Sequence, residues 1–291
     1  MTTTNTLPAA AAGTWKLGSF EVNRLGYGAM RLMSTTDGGI RDRETSIAVL
    51  RRAVELGVNH IDTAAFYFFG PRSANELINR ALAPYGDDLV ITTKVGPGRD
   101  FEGAFHTARP DQLRAQVEEN LRQLGLDHLD VVNYRIGQAL DRGTGSLAEG
   151  FGALAELREA GMIRELGISN IGPEHLTEAL AIAPVVCVQN QYGLTARRED
   201  DELVRLCAEH GIAFVPFFAV ASGSAEETRV AEVARRHDAT PAQVRLAWTL
   251  HQGPHVLAIP GTGDLAHLEQ NVAAATLELT EGDLKTLDGA A

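Results

Sequence analysis

Charged residues stand directly after short, largely apolar runs at three points in the sequence. Asp62, Lys94 and Arg135 each follow such a run, and Tyr67 comes five residues after Asp62. Short runs rich in β-branched residues are typical of buried parallel strands. A charged side chain at such a place is costly unless it is paired or has a task. These four residues are therefore the candidates for chemistry.

A lysine in this setting has two chemical uses and one structural use. At the end of a barrel strand it can form an imine with a carbonyl compound, as in a Schiff-base aldolase. It can also favour the phenolate of a nearby tyrosine, whose pKa of about 10 is otherwise poorly matched to neutral pH. The structural alternative is a buried ion pair between Asp62 and Lys94, although such pairs are weak stability devices.

The chain alternates between strand-like and helical segments eight times. The predicted strands span residues 24–27, 58–62, 89–94, 130–135, 165–169, 185–189, 212–217 and 256–260. The predicted helices span residues 43–56, 73–82, 109–124, 147–160, 173–181, 200–210, 227–236, 241–250 and 265–273. Eight such units without a linker predict an α/β fold, a (β/α)8 TIM barrel, whose strands end at one common mouth.

The main rival to the barrel is a doubly wound sheet. A nucleotide-binding sheet of that kind should carry GxGxxG after its first strand, and the sequence GYGAMR at 26–31 lacks the third glycine. We therefore expect one barrel domain over residues 14–291, with an N-terminal β-hairpin that turns at 17–19 and an extra C-terminal helix at 281–287. Residues 1–13 have no basic n-region of a signal peptide and are expected to be a flexible extension.

Composition argues against several partners. The chain has 26 basic and 38 acidic residues, a net charge of −12, which disfavours nucleic acid and anionic membrane surfaces. No apolar stretch of 18 residues exists, so we expect no membrane span. Cys187 and Cys207 lack the local partners of a metal site, and the nine histidines show no HxxxH or HExxH pattern. We expect two reduced thiols, no metal and a cytoplasmic location.

Several motifs resemble the aldo-keto reductase superfamily in their order and spacing. They are LGYGAM (25–30), VNHIDTAAFY (58–67), ITTKVG (91–96), ELGISN (165–170), VQNQY (188–192) and IPGTGDLAHLEQN (259–271). The resemblance covers roughly residues 15–290 and implies carbonyl–alcohol redox chemistry with NAD(P)H bound by a barrel. The DTAxFY and VVNxR strings look most like a bacterial subgroup with pyridoxal reductase activity.

The resemblance implies a role for each of the four candidate residues. Tyr67 would protonate the alkoxide that forms as hydride reaches a carbonyl. Lys94 would lower the pKa of Tyr67, and Asp62 would hold Lys94. Arg135 stands where most members have histidine, and arginine cannot give up its proton but can donate to a carbonyl oxygen or an anion. It would lower the pKa of Tyr67 further, or else pair with a carboxylate and never touch substrate.

The cofactor site is likewise implied by the resemblance. Its residues would be Gly28, Ala29, Met30, Ser169, Asn170, Gln189, Phe217, Gly261, Thr262, His267, Gln270 and Asn271. Ser169, Asn170 and Gln189 would bind the nicotinamide carboxamide. Phe217 would stack under the ring, with core packing, or an exchange of roles with Phe218, as the alternative.

The adenosine half of the cofactor would lie at the loop 261–263 and the helix that follows. Backbone N–H groups at a helix N-terminus suit a phosphate, and Gln270 and Asn271 would contact adenine. Many NADPH-preferring members place lysine or arginine near positions 261 and 267, where this chain has glycine and histidine. NADP is expected, with NAD possible, and Ser222 and Ser224 could donate to the pyrophosphate.

Together these features predict an NAD(P)H-dependent oxidoreductase that reduces an aldehyde or ketone of a small molecule. An aromatic or flat substrate is favoured by residues around the mouth, namely Met30, Phe66, Phe68, Phe69, Phe101 and Phe105. The alternatives are an ene or imine reductase, a Schiff-base aldolase and a regulatory nucleotide-binding barrel without turnover. The ISN, QNQY and IPGT strings would have no role in the aldolase. A monomer or small homo-oligomer is expected.

Overall fold

The computed structural model describes residues 8–99, 104–137, 140–194, 196, 198–220 and 226–289. Its strands are β1 (Thr14–Leu17), β2 (Phe20–Asn23), β3 (Tyr27–Gly28), β4 (His60–Asp62), β5 (Phe68–Phe69), β6 (Arg72–Ser73), β7 (Val90–Val95), β8 (Pro97–Arg99), β9 (Phe105–Thr107), β10 (Leu129–Arg135), β11 (Ile163–Ser169), β12 (Cys187–Gln189) and β13 (Ala213–Phe214). Its α-helices are α1 (Arg43–Glu55), α2 (Ala74–Leu82), α3 (Pro110–Leu124), α4 (Ala148–Glu159), α5 (Pro173–Leu180), α6 (Asp201–Glu209), α7 (Glu227–Arg236), α8 (Pro241–His251), α9 (Leu265–Ala273) and α10 (Glu281–Asp288).

Seven parallel strands form the central sheet, in the order β13-β12-β11-β10-β7-β4-β3. The predicted eighth strand closes this sheet into a barrel. Phe214 is bridged in parallel to Val256, and Leu25 to Ala258, while the Ala258 N–H donates to the Arg24 carbonyl over 2.8 Å. The predicted (β/α)8 barrel is confirmed.

The local sequence explains where the elements begin and end. Every residue of β7 is buried, as in a strand covered on both faces. Helix α3 starts with Pro110 and ends before Gly125, whose φ of 67° suits glycine. Ser73 and Thr280 cap α2 and α10 by accepting from backbone N–H groups in the first turn.

The N-terminal hairpin forms as predicted, and β1 pairs with β2 up to Leu17 opposite Phe20. Residues 8–12, which we expected within a flexible extension, instead form a 3₁₀ helix. Ala9 is fully buried there and its N–H donates to the Leu56 carbonyl over 2.9 Å. A backbone hydrogen bond therefore connects this segment to the end of α1, while residues 1–7 lie outside the described part of the chain.

Two antiparallel ribbons at the mouth of the barrel were not predicted. They are β5 with β6 and β8 with β9. Their strands are only two or three residues long, too short to show a period-2 alternation of apolar residues. Within the described residues, no helix is long and apolar enough to cross a membrane, and Cys187 and Cys207 are both free and buried.

Candidate active site

A cavity of about 670 Å³ opens at the carboxyl ends of the barrel strands. Eight predicted site residues line it: Gly28, Met30, Asp62, Tyr67, Lys94, Arg135, Phe217 and Gly261. The expected aromatic wall is there too, through Phe66, Phe68, Phe69 and Phe105. Phe101, Ser222 and Ser224 lie outside the described residues. The parallel barrel explains this convergence, because all of its strands end at the same rim.

Lys94 and Asp62 form a buried ion pair at the base of the cavity. Lys94 Nζ lies 2.6 Å from Asp62 Oδ1, with side-chain exposures of 3% and 4%, and it also donates to the Thr63 carbonyl over 3.0 Å. Burial disfavours the ammonium, but Asp62 and Tyr67 outweigh it, so the pKa of Lys94 is raised. Lys94 therefore stays charged at neutral pH, in the form that cannot attack a carbonyl.

Tyr67 faces this ion pair. The Lys94 Nζ lies 5.0 Å from the centroid of the Tyr67 ring, and a turn in which the Tyr67 N–H donates to the Ala64 carbonyl over 3.0 Å positions the ring. Burial raises the pKa of Tyr67, while Lys94 and, more weakly, Arg135 act to lower it. Lys94 and Arg135 act in the expected direction, but burial outweighs them, so the pKa of Tyr67 is raised on balance.

Gln189 connects the ion pair to the opposite side of the barrel. Its Nε2 donates to Asp62 Oδ2 over 2.7 Å, so Lys94 and Gln189 bind the two oxygens of one carboxylate. The Gln189 Oε1 is buried and has no hydrogen-bond partner among the described residues. A buried acceptor without a partner is costly, and this one can accept from an amide N–H₂ group of a ligand.

Arg135 lies where β10 reaches the cavity. Its Nη1 donates to Ser169 Oγ over 3.2 Å, and its Cζ lies 5.0 Å from the centroid of the Phe217 ring. The guanidinium is thus positioned between the end of β11 and an aromatic ring. Phe218 packs edge-to-face on Phe217 at 5.5 Å and has a φ of 59°. Both phenylalanines line the cavity.

Asn170, which we expected to bind the nicotinamide carboxamide, also makes hydrogen bonds to the backbone of its own chain. Its Nδ2 donates to the carbonyls of Ile136, at 3.0 Å, and Asp141, at 2.5 Å. The side chain therefore holds the loop after β10 through its amide nitrogen. Neither Ser169 nor Asn170 is among the described residues that line the cavity, and both are buried.

The loop after the eighth strand packs backbone against backbone on the end of β3. The Gly28 N–H donates to the Pro260 carbonyl over 3.2 Å, and a Cβ at Gly261 would lie 2.5 Å from the Gly28 carbonyl oxygen. Glycine is required at 261 by this approach. The Thr262 hydroxyl accepts from the Asp264 N–H over 3.0 Å, so it serves the loop itself. The neighbouring Ala29 is fully buried.

The first turn of α9 differs from a simple phosphate site. Asp264 Oδ1 accepts from the His267 N–H over 2.9 Å. One of the free backbone N–H groups of the first turn is therefore already bound to a carboxylate of the chain and does not face a ligand. The His267 side chain is 67% exposed. Asn271 is buried one turn later, and Gln270 is exposed.

Arg41 is a candidate site residue that sequence reasoning missed. Its Nη2 donates to the Ser34 carbonyl over 2.9 Å, and its Nε would lie 2.1 Å from a Cβ at Gly263. This Nε is buried and has no hydrogen-bond partner among the described residues. The guanidinium thus lies over the loop 261–263. The sequence indicates this contact only through Gly263, because a residue with a Cβ there would clash with the Arg41 guanidinium.

Comparison with known proteins gives a consistent result. Residues 24–291 match the model of the Aldo/keto reductase family. Pyridoxine 4-dehydrogenase of Escherichia coli (strain K12) is 45% identical over 284 residues, which are 96% of this chain and 98% of that protein. An uncharacterized oxidoreductase of Schizosaccharomyces pombe is 36% identical, over 96% of this chain and 90% of that protein.

Solved structures agree with the sequence matches. A thermostable aldo-keto reductase in complex with the inhibitor epalrestat superposes with a TM-score of 0.80 at 30% identity, over 95% of this chain and 98% of that one. An aldo/keto reductase from Klebsiella pneumoniae in complex with NADP and acetate gives a TM-score of 0.75 at 26% identity, over 92% and 91% of the two chains. The closed barrel, the residues collected at its mouth and these matches together establish that the chain belongs to the aldo/keto reductase family.

Proposed function

We propose that this chain is an NADPH-dependent reductase that converts an aldehyde or ketone of a small aromatic molecule to an alcohol. The observation that carries the proposal is the arrangement of Asp62, Lys94 and Tyr67 at the base of the cavity. A buried lysine, held by a carboxylate, faces a tyrosine whose hydroxyl is the candidate proton donor. The chemistry of an imine-forming lysine is disfavoured, since the raised pKa of Lys94 keeps it protonated.

The proposed roles follow from charge and position. Tyr67 gives its proton to the carbonyl oxygen, and Lys94 stabilises the phenolate that remains. Asp62 keeps Lys94 in place. Arg135, which lines the same cavity, donates hydrogen bonds to the substrate and, being permanently charged, takes no part in proton relay.

The chain has residues that fit a nicotinamide dinucleotide. The buried Gln189 Oε1 would accept from the carboxamide N–H₂ group, and Phe217 offers an aromatic face on the cavity wall. Arg41 would supply the positive charge for a 2′-phosphate at the loop 261–263, and His267 could donate a hydrogen bond to it. When bound, the reduced nicotinamide supplies the hydride. The NADP complex of the Klebsiella pneumoniae protein supports NADP as the cofactor here.

The 45% identical relative is a pyridoxine 4-dehydrogenase, so pyridoxal with NADPH, and pyridoxine with NADP⁺, are the first pairs to assay. The test follows loss of NADPH or NADH with pyridoxal and a panel of aldehydes and ketones. Cofactor binding is measured separately by quenching of protein fluorescence. We expect turnover with NADPH on aromatic aldehydes.

Three results would contradict the proposal. Absence of NADPH and NADH binding would exclude a reductase altogether. Tight binding of cofactor without turnover on the whole panel would favour a regulatory barrel, and hydride transfer confined to ene or imine compounds would favour that reductase class instead.

A further inference from the structure

Among the described residues, those that line the cavity have a net charge opposite to that of the protein. The chain has a net charge of −12, yet the lining residues include the four cations Arg31, Lys94, Arg99 and Arg135 and, as carboxylate, Asp62. Both oxygens of Asp62 are bound by Lys94 and Gln189. A concave site with low-dielectric walls focuses such a positive potential, which attracts anions.

A bound dinucleotide would lie near only some of these positively charged side chains. The residues proposed to contact the cofactor are at the ends of β11, β12 and β3 and in the loops after β13 and the eighth strand. Arg99 ends β8, directly after β7, which is separated from β11 by β10 in the sheet order. Arg99 thus lines the wall of the cavity away from the proposed cofactor, where a substrate would lie.

The Arg99 guanidinium is held in a defined place. Its Nη1 donates to the Phe68 carbonyl over 3.2 Å, and its Cζ lies 5.3 Å from the ring centroid of Phe68 and 5.6 Å from that of Phe105. Arg99 and Phe105 are also direct partners in the β8–β9 ribbon. Aromatic faces stabilise a partly desolvated cation, and a guanidinium matches carboxylate or phosphate oxygens in pairs.

Aromatic rings connect this cation to the proton donor. Phe66 packs edge-to-face on Tyr67, with ring centroids 5.2 Å apart, and also on Phe105, at 6.5 Å. The wall between Tyr67 and Arg99 is therefore aromatic. A flat ring suits such a wall, with its carbonyl at Tyr67 and its far end at Arg99.

We propose that the preferred substrate is an aromatic aldehyde or ketone with an anionic oxygen group, a carboxylate or a phosphate, at the end away from the carbonyl, and that Arg99 binds this group. The inference rests on the proposed reductase function and names its substrate class. The proposed binding depends on two properties of Arg99, its positive charge and its position on the cavity wall.

The test uses two aldehydes that differ in charge and hardly in shape, 4-formylbenzoate and 4-formylbenzamide. We expect wild-type kcat/KM to be at least tenfold higher for the benzoate. Arg99→Met should lose about 10- to 100-fold on the benzoate, the range of a hydrogen bond to a charged group, and less than threefold on the benzamide. Arg99→Lys should restore part of the difference. The ratio of kcat/KM for pyridoxal 5′-phosphate to that for pyridoxal then shows whether a phosphate is preferred in the same way as a carboxylate.

The control is Arg109→Met, the same charge change at a side chain that is 67% exposed, and it should leave both rates unchanged. Equal losses on the two aldehydes in Arg99→Met, or no wild-type preference for the benzoate, would overturn the inference while leaving the reductase function intact. If wild type reduces neither aldehyde, the panel of aldehydes and ketones decides the proposed reductase function separately. Calorimetric binding of 4-(hydroxymethyl)benzoate and its amide to wild type and Arg99→Met then decides whether Arg99 binds the anion.

Discussion

Gln189 Nε2 donates a 2.7 Å hydrogen bond to Asp62 Oδ2, so a residue proposed to bind the cofactor holds the carboxylate that positions Lys94. The other oxygen of this carboxylate accepts from Lys94 at 2.6 Å. The proposed nicotinamide side and the proposed proton-donating side of the site therefore share one buried carboxylate, and we expect a change at Asp62 to affect both.

Loss of the Asp62 charge should destabilise the fold. Asp62→Asn leaves Lys94, 3% exposed, without its counter-ion, and breaking a buried pair in this way costs about 3–5 kcal/mol. Urea denaturation at pH 7 measures the change in the free energy of unfolding. The matched control is Glu118→Gln, which removes a carboxylate from an exposed pair with Arg114 and should have no measurable effect. Equal stability of Asp62→Asn and wild type would show that the buried pair is dispensable.

The pH dependence of the reaction should follow the pKa of Tyr67. Burial raises this pKa above its ordinary value of 10.0, so the proton-donating form persists across the neutral range. Reduction, followed as kcat/KM, should stay level from neutral pH to about 9 and fall only beyond about 10. Oxidation needs the phenolate and should rise as the pH is raised.

Lys94→Met tests the cause of this pH dependence. Removing the cation leaves burial less opposed, so the pKa of Tyr67 should rise further and the alkaline limb of reduction should move to higher pH. Circular dichroism checks that the variant is folded. A limb that moves to lower pH, or a wild-type limb in the neutral range, would contradict the assignment of Tyr67 as the titrating acid.

Arg41 should select NADPH over NADH. Arg41→Met removes the guanidinium that lies against Gly263 and should raise the Kd of NADPH about 10- to 100-fold, the range of a hydrogen bond to a charged group. The Kd of NADH should change less than threefold, since NADH lacks the 2′-phosphate. Fluorescence titration measures both, and Arg43→Met, at an exposed position two residues further on, is the control. Equal weakening of the two cofactors would place Arg41 elsewhere on the dinucleotide or in a purely structural role.

Much of the fold could be predicted from the sequence because local signals repeat. Helices α7 and α9 have the predicted bounds, and prolines, caps and apolar runs mark most of the others. The meeting of Asp62, Tyr67, Lys94 and Arg135 at one cavity follows from the barrel itself, since parallel strands end at one rim.

What the sequence could not predict depends on contacts between distant loops. Arg41 reaches a glycine 222 residues away in the chain, and no periodic pattern records that approach. The side chains of Asn170 and Thr262 are engaged by neighbouring backbone, which their residue types alone do not reveal. The net rise in the pKa of Tyr67 depends on how deeply its ring is buried, and that is a property of the packed structure.

The central claim is that Tyr67 donates the proton in an NADPH-dependent reduction, and Tyr67→Phe tests it most directly. The variant keeps the ring that packs on Phe66 and removes only the hydroxyl. We predict that kcat with an aromatic aldehyde falls about 10²- to 10⁴-fold, the usual contribution of a general acid, while the Kd of NADPH from fluorescence titration stays within twofold. Turnover at the wild-type rate in this variant would contradict the account.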